Sequence, residues 1–283
     1  MMNVFILTRF NLKLWWNKDK EGVEVQTDEW LKERFRLFEE YTYPSVRALA
    51  YPHFHWICLF DADTPAPYRC KIDNYVSEEP RLDACYVTRQ EAQKFQNVFR
   101  NRVKQLADNR EDGLLTVYLD SDDCLRNDFL DRVLGLTKHA KYGTIFSFEY
   151  GIQYYEQMNI AIRIPYPNNH FLVYYEKMGE QIRTIWGFWH FCVYKYKGLT
   201  IHTEDNKDNP MWVEVIHDSN VDNDVKMTLS HRLIGEQTLP YAFGLTFELE
   251  DRWRALLLFL TRFQWRFIKQ IVRRTRNKIK QRL

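Results

Sequence analysis

Ten residues constrain this chain more than any others. Leu114 to Leu119 is an apolar and β-branched run interrupted only by Thr116, and Asp120, Asp122 and Asp123 follow at once, with Ser121 among them. The run has the length of a buried strand, and Arg126, Asn127 and Asp128 supply a turn and an N-cap for a helix starting near Phe129. The acids therefore sit in a strand-to-helix loop. In open α/β sheets ligands gather beyond the carboxyl ends of strands, and clustered carboxylates repel one another unless a cation or donors neutralise them. A divalent metal is the economical neutraliser. Oxygen ligands suit Mg2+ or Mn2+, ions usually held by one or two carboxylates together with substrate phosphates. The plainer alternative is that the acids only open a loop and cap the next helix.

The other segments agree in order as well as in kind. Residues 3–8 read as a first strand ending at Arg9 and Asn11, and Trp56 to Phe60 as a second ending at Asp61 and Asp63. Cys85 to Thr88 reads as a third strand. Helical spacing runs from Asp28 to Tyr41, capped by Thr27 or Asp28 and stopped by Pro44, with a short second piece over 45–50. A longer helix is expected over 90–108, with Phe95, Val98, Phe99, Val103 and Leu106 on one side. Beyond the acids come a helix over 129–137, a strand over 143–148, an antiparallel pair formed by 159–164 and 171–175, and a strand over 211–216 ending at His217. Asp61-Ala62-Asp63-Thr64 also invites comparison with the aspartyl nucleophile of haloacid-dehalogenase-like phosphatases, but Pro65 stands where that motif has Thr or Val. The acidic run from Asp218 lacks the glycine and terminal glutamate of an EF-hand.

Leu119 to Leu125, with Asn101-Arg102 upstream and Phe129-Leu130 after it, resembles the metal-binding Asp-x-Asp segment of GT-A-fold glycosyltransferases. Thr8-Arg9-Phe10-Asn11, Trp30 to Arg34, Leu37-Phe38-Glu39, Tyr43 to Val46, Phe60 to Pro65 and Val215 to Val221 are similar to a bacterial family, the putative rhamnosyltransferases. The resemblance covers roughly residues 3–225. It implies a nucleotide-sugar site built from Thr8, Arg9, Asn11, Asp61, Arg100 and Asp120, a metal held by Asp122, Asp123 and His217, and catalysis involving Asp120 and Asp122. Arg9 suits a phosphate through its guanidinium fork. His190 is a candidate acceptor base, because imidazole titrates near neutrality, and Glu149 is another. Surface Arg, turn Asp and core His are the ordinary alternatives at each of these positions. The aromatics Tyr154, Tyr155, Tyr166, Tyr174, Tyr175, Trp186, Trp189 and Trp212 are expected mostly in the core, with sugar stacking the rarer role.

Composition matters at two points. A chain of 283 residues with 45% hydrophobic and 16% aromatic residues buries a substantial core, which excludes a disordered chain. Its five cysteines show no close metal-ligand pair and read as reduced thiols, and the start has neither a basic n-region nor an apolar run long enough for a leader. Secondly, the net charge of +2 hides an asymmetry: residues 252–283 carry eleven Lys and Arg and no Asp or Glu, leaving 29 basic and 38 acidic residues elsewhere. In that tail Trp253, Leu256, Leu260, Phe263, Phe267 and Ile271 recur at helical steps beside a basic row. Such a helix lies on an anionic membrane surface rather than spanning it, each basic residue contributing roughly 1 kcal/mol. No nucleic-acid motif accompanies the charge.

The expectation is an α/β, GT-A-like Rossmann-type sandwich with a mixed central sheet. Residues 1–240 form the transferase, divided into a nucleotide-sugar half (1–125) and an acceptor half (126–240), and residues 241–283 form the basic tail. The expected reaction moves a sugar, rhamnose by resemblance, from a nucleotide-sugar donor to a surface-glycan, lipopolysaccharide or lipid-linked glycan acceptor, with a divalent metal, in the cytoplasm at the inner face of the membrane. A metal-dependent phosphatase or nucleotidyl enzyme, and a non-catalytic glycan- or membrane-binding module, are the alternatives.

Overall fold

The computed structural model describes residues 2–14, 27–167, 169–217, 232–258 and 260–261, with His190, Phe191 and Arg232 described by backbone alone. The chain order is β1 (Asn3–Arg9), α1 (Asp28–Leu37), α2 (Tyr43–Arg47), β2 (His55–Asp61), α3 (Ala66–Glu78), β3 (Leu82–Val87), α4 (Arg89–Ala92), α5 (Phe95–Leu106), β4 (Gly113–Tyr118), β5 (Cys124–Leu125) and α6 (Phe129–Thr137). There follow β6 (Thr144–Phe148), β7 (Tyr150–Tyr155), β8 (Ile160–Pro165), β9 (Val173–Lys177), β10 (Thr200–Glu204), β11 (Trp212–Ile216), β12 (Arg232–Leu233) and α7 (Arg252–Leu258).

Two sheets result. The larger has the order β10-β6-β9-β4-β1-β2-β3, and the smaller β12-β8-β7-β11-β5. In the larger sheet β1 runs parallel to β2 and β4, β2 parallel to β3, and β9 antiparallel to both β4 and β6. This is the mixed central sheet of the α/β architecture expected from the sequence. Strands covered on both faces need apolar residues without alternation, and β1 shows why. Val4 and Ile6 enter the core between the two sheets with Phe35, Trp56, Phe129 and Trp212. Phe5 and Leu7 enter a second core under α5 with Phe99 and Trp186. A third cluster backs the smaller sheet, where Ile152, Tyr154 and Val215 meet Phe243, Leu245 and Leu249.

Helix α1 starts where its chemistry directs. Thr27 accepts a hydrogen bond from the Trp30 N–H at 3.2 Å, and Asp28 and Glu29 occupy the positive first turn. Pro44 does not stop the helical path. A π-type turn over Phe38–Thr42, in which the Tyr43 N–H reaches back to the Phe38 carbonyl, widens the helix and absorbs the donor that Pro44 lacks. The helix expected over 90–108 is instead two. Thr88 and Glu91 form a capping box on α4, Lys94 departs from helical geometry, and the break sets Phe95 edge-on to Trp186 at 5.1 Å.

The expected antiparallel pair of 159–164 and 171–175 does not form. β8 pairs with β7 and β12 in the smaller sheet, whereas β9 pairs with β4 and β6 in the larger. The intervening segment is a crossing between sheets, held by the Asn169 amide, which donates to the carbonyls of Phe148 and Tyr166. The elements α3, β7 and β10 have no counterpart in the sequence reading. α3 buries only Ile72 and Tyr75, so its apolar stripe is thin.

Of the tail, α7 buries Ala255 against the core and exposes Trp253 (79%) and Leu257 (62%); residues 262–283 lie outside the described residues. No helix among the described residues is long and apolar enough to cross a membrane.

The smaller sheet depends on one close approach. A Cβ on Gly151 in β7 would run into the Trp212 indole, which is fully buried and stacks on Phe171 at 4.7 Å. Gly151→Ala should therefore lower unfolding stability by about 1–3 kcal/mol, the usual cost of overpacking, read as a shifted urea midpoint. An unchanged midpoint would mean that β11 tolerates displacement.

Candidate functional site

The carboxyl ends of β1, β2 and β4 share one edge, and the acidic loop leaves it from β4, the central strand of the larger sheet. Leu119 still donates to the Leu7 carbonyl at 3.3 Å, so the loop remains registered to β1 as it turns. Two residues beyond Asp123 the chain has joined the other sheet, with Val213 opposite Cys124 and Trp212 opposite Leu125. Ser45 on α2 fastens this far end, accepting from the Leu125 N–H at 2.8 Å and donating to the Leu125 carbonyl at 2.9 Å.

Each acid goes a different way. Asp123 is fully buried; one oxygen accepts the Val215 N–H at 3.1 Å and the other meets His170 Nε2 at 2.7 Å. Asp122, also buried, meets Arg34 Nη1 at 2.9 Å and His217 Nε2 at 3.0 Å, both on Oδ2. Asp120 retains 31% side-chain exposure, accepts from the Tyr118 hydroxyl at 3.3 Å and lies 3.9 Å from His170 Nε2. The oxygens of Asp120 and Asp123 and a ring nitrogen of His170 fall within 4.8 Å of one another. Two oxygens and one imidazole nitrogen form a donor set that fits a small divalent cation.

The electrostatics follow from these partners. Burial pushes Asp122 up, but the Arg34 guanidinium and then His217 outweigh it and hold the carboxyl well below the usual carboxylate range. Burial works against a charged His170, yet the hydrogen bond to Asp123 and the nearby Asp120 carboxylate raise it to about 9. Asp120 is raised by burial, with His170 and Arg9 pulling the other way. Part of the neutralisation that the sequence assigned to a metal thus comes from Arg34 and His170.

The expected metal ligands Asp122, Asp123 and His217 fall into two pairs, Asp122 with His217 and Asp123 with His170. Sequence reasoning missed His170 and Arg34. Arg34 stands inside a helix whose apolar stripe drew the attention, and His170 lies in the crossing segment misread as a turn.

Arg9 lies over two rings, with its Cζ 5.2 Å from the Trp186 centroid and 5.4 Å from Phe95. Trp186 stacks on Tyr118 at 4.2 Å and donates its indole N–H to the Leu7 carbonyl at 3.2 Å. Its placement rests on Thr184, whose φ of 59° is left-handed and whose N–H, with that of Arg183, is held by the buried Glu176 carboxylate at 2.7 and 2.8 Å. Such a conformation costs of order 1–3 kcal/mol in a non-glycine residue and persists only where the surroundings impose it.

At the β2 end Asn11 accepts from the Asp61 N–H at 3.0 Å and donates to the Thr64 hydroxyl at 3.0 Å. Asp61 is 3% exposed; its Oδ1 accepts from the Asp63 N–H at 2.7 Å and lies 3.6 Å from Lys13 Nζ. Its Oδ2 is buried with no hydrogen-bond partner among the described residues. The remaining expected residues are not gathered here. Thr8 faces the core, and its hydroxyl accepts from the Trp56 indole at 3.0 Å. Arg100 bonds Asn97 on its own helix and acts on Glu176, opposite the start of β4 and away from the acids. Glu149 joins β6 to β7, and the side chain of His190 lies outside the described residues. Tyr154, Tyr155, Tyr174, Tyr175, Trp186 and Trp212 are buried, whereas Trp189 is 68% exposed.

Among solved structures the chain is similar to S. aureus TarS. TarS 1-349 in complex with UDP-GlcNAc is 9% identical over 78% of this chain and 60% of that one, with a TM-score of 0.44. A second crystal structure of S. aureus TarS 1-349 is 11% identical over 61% of this chain and 47% of that one, with a TM-score of 0.35. The chain thus spans roughly half the length of these structures. No curated protein matches it. A family model described as putative rhamnosyl transferase matches residues 8–229, most of the chain's length, and the chain belongs to that family of glycosyltransferases.

Proposed function

We propose that the protein transfers a sugar, rhamnose by its family, from a nucleoside diphosphate sugar to a hydroxyl of a surface-glycan or lipid-linked glycan acceptor. The observation that carries this is the single sheet edge bearing a buried carboxylate oxygen at Asp61 with no partner among the described residues and a convergent donor set at Asp120, Asp123 and His170. A buried acceptor without a partner costs about 1–3 kcal/mol, and a pyrimidine ring N–H offers the missing donor. Arg9, with Asn11 between it and Asp61 in sequence, supplies a fixed cation for the intervening diphosphate.

In the transfer the bond from the anomeric carbon to the diphosphate oxygen breaks, the acceptor oxygen forms the new bond, and the hydroxyl proton passes to a base. The barrier falls when the charge appearing on the departing diphosphate meets preorganised positive groups. Asp120, Asp123 and His170 would hold a Mg2+ or Mn2+ ion, which when bound supplies Lewis-acid neutralisation of that charge. Asp122 remains ionised beside them, and His190 and Glu149 are the proposed acceptor bases. An aspartyl-phosphatase role for Asp61 has nothing in its favour, since Asp61 is buried and one of its oxygens is bonded to the Asp63 N–H.

We assign the transferase to residues 1–240 and membrane attachment to the tail. The exposed Trp253, Leu257 and Leu260 begin an apolar row that the sequence continues among eleven basic residues. This supports peripheral binding to an anionic inner-membrane surface.

Two measurements test these readings. Nucleoside diphosphates with Mn2+ should raise the thermal midpoint, because they bind only the native state. Asp61→Asn should reduce the shift given by pyrimidine nucleotides, and Asp120→Asn should lower sugar-nucleotide turnover at least ~100-fold, an effect of the size seen when transition-state charge stabilisation is lost. Full turnover in Asp120→Asn would remove the acidic loop from the chemistry. Deleting residues 262–283 should abolish co-sedimentation with phosphatidylserine-containing vesicles, and persistent sedimentation would contradict the role of the tail.

A further inference from the structure

Arg34 is joined directly to an acid of the loop, and its surroundings explain more than a brace would require. It projects from α1, 12% exposed, with its Cζ 5.0 Å from the Trp30 ring. Both of its polar contacts use a single nitrogen: Nη1 meets Asp122 Oδ2 at 2.9 Å and Ser121 Oγ at 3.4 Å. A guanidinium carries five N–H donors in a fixed fork. A buried Arg serving only as a brace would be expected to engage its carboxylate through two nitrogens, the stronger and geometrically specific mode. Here Nε and Nη2 make no hydrogen bond among the described residues, and Arg34 contributes to the potential at both Asp120 and Asp122.

Resting on the transferase reading, we propose that Arg34 is the site's built-in counter-cation: it occupies Asp122 against a divalent ion and offers its remaining donors to an oxygen of the donor's diphosphate. Two effects of opposite sign follow. Removing the guanidinium leaves Asp122 with His217 as its remaining partner beside Asp120 and Asp123, which increases the attraction for a divalent cation. It also removes a charge-assisted donor, which weakens the hold on a diphosphate. A purely structural arginine produces no such opposition, because a loosened loop weakens both ligands together.

The test measures Mn2+ alone by electron paramagnetic resonance of the free ion, and UDP and dTDP in EDTA by calorimetry. Wild type, Arg34→Met and Arg34→Lys are compared, methionine keeping an unbranched side chain beside Trp30 without the charge. Arg34→Met should bind Mn2+ several-fold more tightly and the nucleoside diphosphate about tenfold more weakly, tenfold being ~1.4 kcal/mol. Arg34→Lys keeps the charge but not the fork, so it should leave Mn2+ affinity near wild type and still weaken the diphosphate. Parallel weakening of both ligands in Arg34→Met, or wild-type diphosphate affinity in Arg34→Lys, overturns the role of Arg34. If Arg34→Met fails to fold, the lysine variant alone decides the matter. A wild-type protein that binds neither probe overturns the transferase reading, and this role with it, before any substitution is considered.

Discussion

The structure depends on the short loop that carries the chain from one sheet to the other. Leu119 is hydrogen-bonded to β1 and Leu125 pairs with β11, so the residues between them have little freedom to move independently of either sheet. The Asp123 carboxylate completes the span by accepting the Val215 N–H. A loop of this kind is unlike the usual surface connection, which is mobile and tolerant of change. Its acids are delivered by two rigid bodies at once, as a site needing tight geometry requires.

Burying acids in such a loop raises an electrostatic problem, and the protein solves it unevenly. Asp122 receives Arg34 and His217; Asp123 receives His170 and a backbone donor; Asp120 accepts from a phenol, has His170 at 3.9 Å and the charge of Arg9 acting on it, and retains the most exposure. Partnered, buried acids are positioned and inert towards solvent, whereas the under-partnered acid faces the open edge. The same gradient recurs at Asp61, where one oxygen is satisfied and the other is not. Unsatisfied acceptors in an otherwise well-bonded interior are uncommon, and each calls for a physical explanation such as strain, an ordered water, an ion or a ligand.

Much of this was legible locally. The acidic loop, its strand and α6 follow from an apolar run, a cluster of acids and a capping aspartate, all within about two dozen residues. The ends of β1 and β2 were legible for the same reason. What the sequence hid was long-range. His170 reaches Asp123 across 47 positions and Arg34 reaches Asp122 across 88, and no local pattern records either pairing. The misread hairpin failed on the same ground, since the alternation in 159–164 and 171–175 reveals strands but not which sheet each joins. Thr8 is different, because period-two alternation places it with Val4 and Ile6 on the inward face of β1; the signal was present and the family motif outweighed it. Pro44 shows local chemistry yielding to a wider turn.

The central claim is that this edge binds a nucleoside diphosphate together with a divalent cation. The most direct measurement is anomalous diffraction at the manganese edge from crystals soaked in Mn2+ and a nucleoside diphosphate. The account predicts one strong peak among the Asp120, Asp123 and His170 side chains, with the diphosphate beside it and the base at Asp61. A nucleotide bound elsewhere on the molecule, or a metal peak remote from the acidic loop, would contradict it.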